Sequence, residues 1–122
     1  MLNAQQPAKT KTAAITVTPI TEAEAVKVPG MRDGASCTYV RKKGQNPFFV
    51  VALDGATIKV NNKIVPLKRT KTKHVYIGGG YEVKLNTTHL DAEDGYEMKG
   101  DIRIKNKTGA TVKIQVWGMC DA

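Results

Sequence analysis

Long apolar runs are missing from this chain of 122 residues. The longest, Phe48-Phe49-Val50-Val51-Ala52-Leu53, falls far short of the ~20 residues that a membrane-spanning helix needs. No segment here reads as one. Serine is nearly absent too. Ser36 is the only one, so a Ser-His-Asp hydrolase has no evident nucleophile. Cysteine occurs twice, at Cys37 and Cys120, and neither His74 nor His89 stands near either in sequence. Zinc asks for four ligands at close spacings, and a redox pair usually sits as Cys-x-x-Cys. No catalytic residue, metal or cofactor is therefore expected. Aromatic residues are few: two Phe, four Tyr and one Trp. A single-strand binder stacks bases on aromatic side chains along a basic groove, so nucleic acid is a disfavoured partner.

What is present is sheet-like alternation. Tyr81, Val83 and Leu85 share one face. So do Met98, Gly100, Ile102 and Ile104, with Glu97, Lys99, Asp101, Arg103 and Lys105 on the other. Val112, Ile114 and Val116 follow the same period of two, and continuing it puts Cys120 on their side. Phe48 to Leu53 is apolar on both faces and predicts a doubly covered strand. Asn61-Asn62 separates two alternating arms, Thr57 to Val60 and Ile64 to Leu67, and predicts a hairpin, because Asn tolerates positive φ. Pro66 has no N–H for a ladder, which predicts an edge for its arm. Val75 and Ile77 suggest a further strand that ends at Gly78-Gly79-Gly80, and Thr87 to Gly95 reads as a polar loop. About seven to nine short strands result. The fold class is all-β, a small antiparallel barrel or sandwich.

Residues 1–12 read as a disordered lead-in and 13–122 as a single β-domain. Ala4-Gln5 resembles a signal-peptide cleavage point, so a secreted or periplasmic location is expected. Near Thr21, the Thr-Glu-Ala-Glu order predicts a brief capped helical turn, with Glu24 closing a capping box. Cys37 and Cys120 are expected to form a disulfide that staples the first core strand to the last, which fits an oxidising compartment.

The net charge is +8, enough to attract a polyanion or an acidic protein. Between residues 55 and 81 there is no Asp or Glu, against Lys59, Lys63, Lys68, Arg69, Lys71 and Lys73. Arg41-Lys42-Lys43 adds cations at another turn. Arg41, Lys42, Lys43, Lys68, Arg69, Lys71 and Lys73 form the candidate basic surface, one rim if the two turns converge. The plain alternative is a set of lysines that keeps strand edges soluble. Tyr76, Tyr81 and Trp117 are candidate contact anchors, Trp being enriched at interface hot spots. Gly78-Gly79-Gly80 lacks the Lys-Ser/Thr and following helix of a phosphate loop. Asp91, Glu93 and Asp94 do not have EF-hand spacing.

A basic, strand-rich chain with cysteines near each end, over roughly residues 35–122, resembles the small periplasmic C-type lysozyme inhibitors. That family presents a loop with a Ser-Gly…Tyr motif to its target's active site. Here Ile77-Gly78-Gly79-Gly80-Tyr81 stands in a comparable place without the serine. The resemblance implies a β-barrel and, as an alternative function, inhibition of a secreted hydrolase. The leading expectation remains a non-enzymatic binding domain for an anionic ligand or acidic partner. A structural role in the cell envelope is a further alternative.

Overall fold

The computed structural model describes residues 14–29, 37–90 and 97–120. Eight antiparallel strands follow one another around a closed barrel. They are β1 (Cys37–Val40), β2 (Phe49–Val51), β3 (Gly55–Val60), β4 (Lys63–Arg69), β5 (Val75–Gly78), β6 (Tyr81–His89), β7 (Glu97–Asn106) and β8 (Thr111–Cys120). Each pairs with its sequence neighbours, and β8 returns to β1. The barrel reading holds, and the sandwich alternative is discarded. Closure also overturns the edge predicted from Pro66. That residue lies beyond the short β4–β5 ladder of Lys68↔Ile77 and Arg69↔Tyr76, where no partner strand asks for its missing N–H.

Two tight turns set the register of half the wall. Asn61 and Asn62 both take positive φ, 50° and 64°, as do Gly79 and Gly80 at 58° and 87°. A two-residue hairpin turn of the primed type needs this geometry at both positions. Gly79-Gly80 is thus the β5–β6 turn, with Gly78 closing β5 opposite Tyr81, the first residue of β6. The predicted alternation then places Ile58, Val83, Ile102, Ile104 and Val116 inside, all essentially inaccessible to solvent. An aromatic trio fills the half of the barrel nearer Cys37. Phe49 packs on Tyr39 at 5.6 Å and edge-on to Tyr76 at 5.8 Å between ring centroids. A side chain at Gly118 would run into the Tyr39 ring, so glycine there makes room for it.

Three strand-level expectations need correction. β5 turns Tyr76 inward and leaves Ile77 48% exposed, because Tyr76 stands opposite the core residue Val83 and directly opposite residues share a face. Residues Thr87 to His89 are strand, continuing β6 against Lys99, Gly100 and Met98 of β7; β-branched threonine suits the pleat. β2 stops at Val51, and Leu53 is 83% exposed in the following turn.

β3 is buried on both faces along its whole length. Its outer face is covered by a strap, residues 14–29. Val17 bridges to Val60, the Asn61 N–H donates to the Thr16 carbonyl at 2.8 Å, and the Ile20 N–H donates to the Pro47 carbonyl at 2.8 Å. Ile20 and Val28 pack with Val50 of β2 in a second apolar cluster outside the barrel. Each such burial is worth about 1.5–3 kcal/mol. This explains the two-sided apolarity at Phe49-Val50: one side chain faces the interior and the other faces the strap. The helical turn α1 (Glu22–Ala25) carries the predicted capping box, with Thr21 and Glu24 bonding reciprocally. Glu24 also accepts from Lys59 Nζ at 2.9 Å, giving the 8%-exposed Lys59 a partner. No helix among the described residues is long and apolar enough to cross a membrane. The wall itself is apolar inside and charged outside, the reverse of a barrel whose outer band faces lipid.

The seam between β1 and β8 consists of four residue pairs, from Cys37↔Cys120 to Val40↔Trp117. A disulfide joins Cys37 to Cys120 across a sequence separation of 83. Chain-entropy reasoning gives such a loop roughly 4–5 kcal/mol as an upper bound. The double variant Cys37→Ser/Cys120→Ser is expected to lose about 2–4 kcal/mol in urea titrations, with hydrogen exchange accelerating first in β1. An unchanged midpoint would show that the pairs hold the seam unaided. Glu24 is held below the usual carboxylate range, first by the Thr21 backbone N–H and then by the Lys59 ammonium. Such a group stabilises the fold fully above its unfolded pKa and loses that contribution as pH falls through the folded one. Urea midpoints measured from about pH 6 down to about pH 3 are therefore expected to fall less steeply in Glu24→Gln. Equal slopes would remove Glu24 from the acid transition.

Candidate functional site

The strand directions separate the two basic turns. Arg41, Lys42 and Lys43 follow the end of β1 away from the disulfide. Lys71 and Lys73 lie in the β4–β5 turn, which opens at the disulfide end with Lys68 and Arg69 just before it. The single rim conceived from the sequence does not form. At the disulfide end a cavity of about 300 Å³ is lined by Arg69, Thr72, Lys73, His74, His89 and the Cys37–Cys120 bridge, with Tyr39 and Tyr76 among its other walls. Burial, with Tyr76 close by, pushes the Tyr39 hydroxyl up to about 12. Arg69 is committed to the fold. Its Nε donates to the Leu53 carbonyl at 3.0 Å and its Nη2 to the Ala52 carbonyl at 2.7 Å, holding the β2–β3 turn. Its guanidinium stands 5.7 Å from the Tyr76 ring centroid. Tyr76, 2% exposed, is a core residue and not a surface anchor.

The other two anchors stay nearer the surface. Asn61 Nδ2 donates to the Tyr81 hydroxyl at 3.3 Å, which ties that ring to the β3–β4 turn. Tyr81 also lines a groove of about 770 Å³ beside Pro66, Ile77 and the glycine turn. Trp117 points outward and is half-buried beneath two ammonium groups, Lys43 at 4.6 Å and Lys99 at 4.9 Å from its ring centroid. Lys43 also pairs with Glu97 at 3.1 Å. Of the three cations in the first basic turn, Lys43 is thus drawn onto the wall, while Arg41 and Lys42 remain exposed.

Sequence reasoning missed a row of like charges that crosses three strands. Register places Lys84 of β6 opposite Arg103 of β7, and Arg103 opposite Lys113 of β8. All three side chains belong to the outward set, opposite in phase to Val83, Ile104 and Ile114. One step along, Asn86, Asp101 and Gln115 form a second row across the same strands. Asp101 reaches Arg103 at 3.9 Å and Lys113 at 4.0 Å. Its side chain is 14% exposed against 58% and 52% for theirs, and its Oδ1 has no hydrogen-bond partner. The outward lysines were visible one strand at a time. Their meeting required the register of three strands together.

Among the described residues no three of His, Cys, Asp and Glu gather to hold a metal ion. Asp91, Glu93 and Asp94 lie outside the described residues, as does the N-terminal lead-in, 1–12. No curated protein and no solved structure matches the chain. A family model does match, over residues 3–118. That span takes in the strap, β1 to β7 and all but the last two residues of β8. The chain belongs to the family described as Domain of unknown function (DUF6692).

Proposed function

We propose that this protein is a non-enzymatic binding domain, acting in the periplasm or outside the cell, that takes an anionic ligand or acidic partner on its cationic surface. The observation that carries the reading is the Lys84–Arg103–Lys113 row. Like charges directly opposite one another across strands destabilise a sheet. Among the described residues only Asp101 offsets them at short range, and it serves two of the three. A negatively charged ligand would relieve that repulsion. The disulfide supports the compartment proposed, since such bonds persist where the surroundings are oxidising. Glu24 and Tyr39, the groups with clearly shifted acidity among the described residues, serve the strap and the core respectively.

The inhibitor alternative rests on Gly78 to Tyr81. There the chain turns through two glycines, with Gly79 close against Val65 and Gly80 against Lys107. A tip so short and packed offers little to insert into an active site, so the anionic-ligand reading is preferred. A structural envelope role is the reading left if nothing anionic binds.

The test is binding to three soluble polyanions, namely polygalacturonate, polyphosphate and polyglutamate, at about 0.15 M salt, where surface charges are screened beyond ~8 Å. At least one is expected to bind measurably, with affinity falling steeply as salt rises. Failure of all three at that ionic strength would reject the reading.

A further inference from the structure

The two rows on the outer wall of β6, β7 and β8 differ in chemistry, and together they specify more than negative charge. The first, Lys84–Arg103–Lys113, offers only donors and positive charge. The second, Asn86–Asp101–Gln115, offers two amides around a carboxylate. Neighbouring strands stand about 4.8 Å apart and successive outward residues about 7 Å. The rows therefore run side by side across roughly 10 Å of wall. An extended chain laid over them would meet cations along one edge and amide or carboxylate groups along the other.

Resting on the anionic-ligand reading above, we infer that the ligand of this wall is an acidic polysaccharide, whose carboxylate or sulfate groups meet the first row and whose hydroxyls meet the second. A simple phosphate polymer has acceptors but few donors, and Asp101 would repel it. A glycan hydroxyl donates readily to a carboxylate, and each amide both donates and accepts. The Asp101 carboxylate is held loosely: its two cations stand at 3.9 and 4.0 Å, longer than a charge-assisted hydrogen bond, and its Oδ1 is enclosed without a hydrogen bond, which leaves the Oδ2 edge to receive a hydroxyl. Nucleic acid fits less well, because Trp117, the aromatic that faces out from this wall among the described residues, already lies under Lys43 and Lys99.

The experiment compares binding of the full chain and its variants to polygalacturonate, polyphosphate and single-stranded DNA at physiological salt. Lys84→Gln/Arg103→Gln/Lys113→Gln is expected to weaken polygalacturonate binding about tenfold or more. A charge-matched control, Lys42→Gln/Lys63→Gln/Lys107→Gln, is expected to weaken it less than about twofold. Asp101→Asn separates the ligand classes by sign: it is expected to weaken polygalacturonate binding and to strengthen polyphosphate binding. The inference is overturned if both triple variants lose affinity equally, since net charge alone would then explain binding. It is also overturned if Lys68→Gln/Lys71→Gln/Lys73→Gln abolishes binding while the wall variant keeps it, or if polyphosphate or DNA binds more tightly than polygalacturonate. In those three cases the broader anionic reading survives. If no polyanion binds the parent chain, both fall.

Discussion

An eight-stranded meander has two open edges until its first strand meets its last, and β1 meets β8 through only four residue pairs. The bond between Cys37 and Cys120 lies at the end of that short seam. Much else depends on the closure. It removes the edges that would otherwise invite pairing with a second chain. It encloses Tyr39, Phe49 and Tyr76 as an aromatic filling. It also fixes which side of every strand is interior, because a slip by one residue would reverse a whole face. The outward rows of charge follow from that same inside-outside choice.

The strap solves a different problem. β2 and β3 carry apolar or buried residues on both faces, which a barrel with a bare outer surface could not accommodate. Ile20 and Val28 cover Val50, and Glu24 meets the ammonium of Lys59. A lysine stem packs well against apolar neighbours when its charged end has a destination. The short capped turn α1 gives it one. The family match takes in residues 14–29 together with the barrel.

Most of the fold was legible in the residues themselves. The alternation in β6, β7 and β8, the Asn61-Asn62 hairpin and the capping box at Thr21 are local patterns with local causes, and the two cysteines, being a lone pair, named each other across the chain. The failures were nonlocal. Tyr76 faces inward because of Val83 across the ladder, which the short stretch around Val75 and Ile77 could not announce. Pro66 is not on an edge strand because the barrel closes, and it is tolerated in β4 because the β4–β5 ladder ends before reaching it. The charged wall was hidden for the same reason. Lys84, Arg103 and Lys113 sit on three strands, and only pairing register brings them into line. Arg69 looked like one more free cation until the carbonyls of Ala52 and Leu53 came within its reach.

The strands are unequal. β1 and β2 have four and three residues, whereas β6, β7 and β8 have nine, ten and ten. The cylinder is therefore lopsided, a tall rigid palisade on one flank and a low rampart on the other. The low flank has a covalent rivet and a draped strap where its ladders are brief, while the tall flank sets its outward side chains in long parallel files.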